Sequence, residues 1–136
     1  MYKTIIVPID LGHTEKGKAM IDTAAKLIDK GGRIIVVNIV EEIPGFVVAQ
    51  LPEGVLRKSS ENAASELKDM VSAAGVDTEV EVRTGRPATT INAIADDKEA
   101  DLIIVASHKP GMQDYLLGST AAGIVRHAKC SVLVTR

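Results

Sequence analysis

With 136 residues, 46% hydrophobic and only 2% aromatic, the chain suits one domain, residues 1–136, with a core of Val, Ile, Leu and Ala. A net charge of −2 and a pI near 5.9 offer no basic footprint for nucleic acid. No apolar run is long enough to span a bilayer, and "MYKTIIVPID" lacks the long apolar stretch and cleavage site of a signal peptide, so a soluble cytoplasmic protein without membrane insertion is expected.

The first element, "KTIIVPI" (3–9), is short, apolar and β-branched, and reads as a buried strand. Met20, Ala24, Leu27 and Ile28 then share one helical face, with Gly31-Gly32 as the stop. "RIIVVNIV" (33–40) is a second buried strand, and "EEIPGFVVAQLPEG" a loop punctuated by Pro and Gly. Leu56, Ala63, Leu67, Met70, Val71 and Ala74 line a long amphipathic helix that ends at Gly75.

"VDTEVEVR" is different. Val76, Val80 and Val82 alternate with Asp77, Glu79, Glu81 and Arg83, as in a strand at a sheet edge or with one open face. Pro87 suits a first helical position, and Ile91, Ile94 and Ala95 mark the helix that follows. "DLIIVAS" is a fourth strand, 120–128 a last helix and "SVLVT" a fifth strand.

Strands and helices alternate throughout, which implies α/β: a doubly wound five-stranded parallel sheet with helices on both faces. Right-handed crossovers and an edge position for the third strand select the order 3-2-1-4-5. Strands one and four are then neighbours where the winding reverses, and ligands of open α/β sheets bind at the carboxyl ends of such strands. Two segments meet there, "PIDLGH" and "ASHKPGMQDYLLGSTAAG".

Gly118-Ser119-Thr120 precedes a helix. Unpaired N–H groups, a glycine and two hydroxyls make a phosphate seat, with Lys109 and His108 as sources of charge. The plainer alternative is that Ser119 or Thr120 caps the helix and Gly118 turns the chain. Asp10 has the same two readings, ligand contact or helix cap.

Chemistry-bearing groups are otherwise sparse. His13, His108 and His127 are scattered, and only His108 is expected at the crevice. His127 belongs with Arg126 and Lys129 at a helix C-terminus, where cations stabilise. Neither a Walker loop nor a dinucleotide fingerprint is present. Cys130 stands alone and reads as a small buried residue; no acids are spaced as a metal cage, though Mg²⁺ can arrive with a nucleotide.

"IIVPID", "DLIIVASHKP…LLGSTAAGIVRHAKCSVLVTR" and the βα order between them resemble the universal stress protein family, over the whole chain and most strongly in its last third. That resemblance implies binding of ATP, or of ADP or AMP. Nucleotide-binding members carry a glycine, two residues, a second glycine, nine residues, then Gly-Ser or Gly-Thr. Here Ala106 stands at the first glycine, Lys109 at the second, and the interval to Gly118-Ser119 is one residue shorter. The form "ASHKP…YLLGS" is similar to a branch with "ASHRP…YLLGS", whose members are still associated with adenine nucleotides.

Carried over by position, Pro8 and Asp10 match "P-x-D" near the adenosine half. Ile39 matches a residue whose backbone contacts adenine, Val105 and Ala106 flank the ribose, and Ser119 and Thr120 match phosphate contacts. Family members also commonly dimerise through the last strand, here Val132, Leu133 and Val134, a run with no charge or proline to guard it. The leading expectation is an ATP-binding stress-response regulatory protein that forms a homodimer. A dimeric interaction module without nucleotide and a slow ATP hydrolase stand as alternatives, and no protein partner is identified.

Overall fold

The computed structural model describes residues 1–41, 45–75, 77–107 and 118–136, apart from the side chains of Val48 and Leu56. In chain order the elements are β1 (Tyr2–Pro8), α1 (Thr14–Leu27), β2 (Ile28–Val40), α2 (Gly45–Val48), α3 (Val55–Ala74), β3 (Glu79–Thr84), α4 (Pro87–Asp97), β4 (Leu102–Ala106), α5 (Ser119–His127) and β5 (Ser131–Thr135). The five strands form one parallel sheet in the order β3-β2-β1-β4-β5, the order expected with the third strand at an edge.

The strand pleat sorts the core into two layers. Ile5, Val7, Ile34, Val36 and Ile104 face α1 and α3, meeting Met20, Ile21, Leu67 and Met70. Ile6, Ile35, Val37, Ile103 and Val105 face α4 and α5, meeting Ile91, Ile94 and Ile124. Both faces of the central strands are therefore dry, which is why they read as unbroken apolar runs. On β3, Val80 and Val82 pack against the α1/α3 layer while Glu79 is exposed, so the alternating pattern reports an edge strand; Val76 lies outside the described residues.

Gly75 ends α3 in the left-handed region at φ +68°, and Pro87 opens α4, both as expected. The segment expected to be pure loop contains the single turn α2.

The first helix is shorter than expected. It ends at Leu27, which is exposed, and Ile28 already belongs to β2. Tyr2 pairs with Ile28 and Thr4 with Arg33, so β2 carries three extra residues over that interval, a bulge. Gly31 takes φ +79°, and a Cβ on Gly32 would stand 2.9 Å from the Lys3 carbonyl. The glycine pair serves this bulge, not a helix stop.

Asp101 fastens the entry of β1 to that of β4. Its carboxylate accepts N–H bonds from Lys3 (2.9 Å) and Thr4 (3.0 Å), while its own N–H donates to the Thr4 carbonyl at 3.0 Å. Burial alone would raise this carboxyl, but the Lys3 and Thr4 donors favour the anion and hold it below the usual carboxylate range. Asp101→Ala is expected to cost about 1–2 kcal/mol at neutral pH, allowing for partial exposure. Because the folded pKa is lowered, this contribution is complete above the unfolded value of about 3.9 and fades as pH falls through the folded one. Urea unfolding at pH 7 and near pH 3 checks it: the difference between wild type and variant should shrink in acid.

Candidate functional site

β1 and β4 are adjacent, pairing at Ile5↔Leu102 and Ile6↔Ile103, and pairing goes no further. Proline explains the stop. The Thr4 carbonyl accepts the Asp101 N–H, so the even-numbered residues of β1 point their main-chain groups at β4. The next donor in that row is Pro8, which has no N–H. The chain leaves β1 toward α1 on one face and leaves β4 toward α5 on the other. The strands part at this switch point around a cleft of about 560 Å³, within the range of small-molecule sites.

Pro8, Asp10, Ile39, Val105, Ala106, Gly118, Ser119 and Thr120 all line this cleft. His108 and Lys109 lie outside the described residues. Eight residues distant in sequence are thus gathered at one place by the sheet order.

Asp10 does not cap α1. Its Oδ1 accepts the Gly12 N–H at 2.8 Å, an Asx turn, and its carbonyl accepts the His13 N–H at 2.9 Å. The residue at the α1 N-cap is His13, without a side-chain capping bond. The Asp10 side chain remains 63% exposed, with Oδ2 4.0 Å from His13 Nε2. His13 itself lines the cleft, which corrects the expectation that His108 alone among the histidines would sit there.

On the far side, Ser107 is buried and ties the site to the sheet edge. Its N–H donates to the Thr135 carbonyl at 2.8 Å, and its carbonyl accepts the Gly118 N–H at 2.5 Å. Ser107 and Gly118, the described residues on either side of 108–117, are therefore hydrogen-bonded to each other. Gly118 is the N-cap of α5, at φ −60° and ψ 154°, and neither Ser119 nor Thr120 makes a side-chain capping bond. The first main-chain bond of the helix runs from Ala122 N–H to the Gly118 carbonyl at 2.8 Å. The helix start thus meets the cleft with the N–H groups of its first turn outside the helical ladder. That arrangement, with the helix dipole behind it, suits an anion.

Lys16, Asn38, Glu41 and Ser107, outside the set expected from the sequence, also line the cleft. Asn38 had a visible signal, a lone amide in the apolar run "RIIVVNIV". Its Nδ2 donates to the Ile9 carbonyl at 2.9 Å. Cys130 is half-buried, and burial, together with Asp101 and Asp96, pushes its thiol up, away from the reactive thiolate. Among the described residues no three His, Cys, Asp or Glu side chains gather as a metal site, and no helix is long and apolar enough to cross a membrane.

Fold and cleft together define an open, doubly wound α/β protein with a ligand-sized site at its switch point. The model of the universal stress protein family matches residues 1–136, and the chain belongs to that family. Universal stress protein G of Salmonella typhimurium is 31% identical over 145 residues, covering 100% of both chains. The structure of hypothetical protein MJ0577 superposes with a TM-score of 0.79 at 25% identity, covering 99% of this chain and 96% of that one. Two further structures share the fold. A universal stress protein in complex with cAMP has a TM-score of 0.60 at 23% identity, covering 99% and 97%. One from Archaeoglobus fulgidus in complex with dAMP has 0.66 at 16%, covering 99% and 98%.

Proposed function

We propose that the cleft binds an adenine nucleotide, ATP in the leading case, and that the protein is a stress-response regulator rather than a dedicated catalyst. One observation carries this: a helix start suited to phosphate and an acceptor-bearing strand end, Asp10 beside Ile39, open into the same cavity. The first takes the anionic end of the ligand, and the second takes sugar hydroxyls and the base. Relatives that bind cAMP and dAMP support the choice of adenine. Val105 and Ala106 lie between, on the ribose side, and Lys109 and His108 supply charge to the phosphates. Mg²⁺ arrives with the nucleotide. The protein acts in the cytoplasm as a homodimer joined through β5.

Calorimetric titration with ATP, with adenine absorbance read on freshly purified protein, tests the proposal. We expect saturable one-to-one binding, or co-purified nucleotide that exchanges for added ATP. No binding of ATP, ADP or AMP by nucleotide-free protein would sink it in favour of an interaction module.

A further inference from the structure

The ladder between β1 and β2 ends at the rim of the cleft, and Asn38 stands at the stop. Register pairing ends at Pro8↔Val37, and the last main-chain bond runs from the Ile9 N–H to the Val37 carbonyl at 2.7 Å. Odd-numbered residues at this end of β2 therefore turn their main-chain groups toward β1. Even-numbered ones turn away, since the Val40 carbonyl accepts the Gly85 N–H beyond β3 at 3.0 Å. A ladder continued by one rung would send the Ile39 N–H to the Ile9 carbonyl. The Asn38 amide takes that carbonyl instead, at 2.9 Å. Its assignment as nitrogen is chemically forced, because only a donor satisfies a carbonyl.

We propose that Asn38 is a positioning residue: by occupying the Ile9 carbonyl it ends the β1–β2 ladder early and keeps open, as a donor–acceptor pair, the main-chain N–H and C=O of Ile39, the position whose backbone the family resemblance already assigns to adenine. The inference rests on reading the cleft as a nucleotide site, and adds to it the device that exposes the base-reading edge. Ile39 lines the cleft, and its N–H and C=O lie on the side where β1 has no paired residue left. A strand residue presents both groups to one side, a donor next to an acceptor. Adenine offers the complement, an acceptor at N1 and a donor at its 6-amino group. Hypoxanthine reverses both, with a donor at N1 and an acceptor at the 6-oxygen, so it meets unpaired groups that cost affinity. Without a donor at position 38 the Ile9 carbonyl recruits the Ile39 N–H, and the edge closes.

Two measurements on the full chain test this, using Asn38→Leu and the isosteric Asn38→Asp, neither of which has a side-chain donor. The first is amide hydrogen exchange without nucleotide. In the wild type the Ile39 amide should exchange at least about tenfold faster than that of Val37, and in a folded variant it should become protected. Equal protection of the two amides in the wild type overturns the proposal without any variant. The second compares ATP with inosine triphosphate. Either variant should weaken ATP about tenfold while leaving inosine triphosphate nearly unchanged, so that the preference collapses. Equal losses for both nucleotides are the mark of a merely structural role and overturn it. A wild type that binds neither nucleotide overturns the nucleotide reading, and with it the base-reading role; the exchange measurement then judges separately whether Asn38 ends the ladder.

Discussion

Gly118→Val is expected to abolish ATP binding while the protein stays folded. Gly118 holds φ −60° and ψ 154°, an extended conformation that valine adopts without strain. Its N–H still reaches the Ser107 carbonyl after the change, and no side-chain capping bond is lost because none exists. The folding cost is that of a poorer N-cap residue, about 1 kcal/mol. The binding cost is larger. A branched side chain at the helix start stands between the cleft and the N–H groups of the first turn. Losing two charge-assisted contacts of about 1.5–3 kcal/mol each lowers affinity at least about a hundredfold. Calorimetry on a variant shown by circular dichroism to be native checks this. ATP bound with wild-type affinity would mean that the phosphates do not sit on this helix.

The difference between what sequence alone disclosed and what required the fold follows from the range of each interaction. The strands were legible because a two-sided dry sheet leaves continuous apolar runs, and "EVEVRT" betrayed an edge by alternating. Gly75 and Pro87 acted locally, through their own backbone angles, and were read correctly. Gly31-Gly32 is ambiguous in the sequence because a helix stop and a bulge demand the same residue type. The deciding contact, the Lys3 carbonyl, belongs to another strand. The site was legible where it follows topology: once β1 and β4 are neighbours, Pro8, Asp10 and Gly118 must converge. His13 is not legible, and Asn38 shows only as a lone amide in an apolar run. Whether an N-cap histidine faces a cleft depends on the pitch of α1 against the sheet. An amide in a strand acquires its meaning only from the Ile9 carbonyl across the ladder.

For the dimer, two prolines one residue apart on β5 are expected to have opposite effects. Among the described residues β5 pairs only with β4, and no described strand pairs with its other edge. The Thr135 carbonyl accepts the Ser107 N–H, so Thr135, and with it Leu133 and Ser131, turn their main-chain groups inward to β4. Val132 and Val134 turn theirs outward. A two-fold axis normal to the sheet would place a second β5 antiparallel to the first and satisfy both open rows at once. Truncating side chains cannot test this cleanly. Val132 packs on the α4/α5 layer and Leu133 on the α1/α3 layer, so each deletion damages its own subunit. Proline acts on the backbone donor. Val132→Pro removes an outward N–H at an edge, where proline is tolerated, and should give a folded monomer. Leu133→Pro removes a donor to β4 and strands its acceptor, costing roughly 1–3 kcal/mol before any distortion of the strand, so it should lower the unfolding midpoint of the subunit itself. Sedimentation at high micromolar concentration, paired with thermal unfolding, separates the two outcomes. A wild type that remains monomeric there, or a Val132→Pro protein that still dimerises, would show that the copies do not meet through β5.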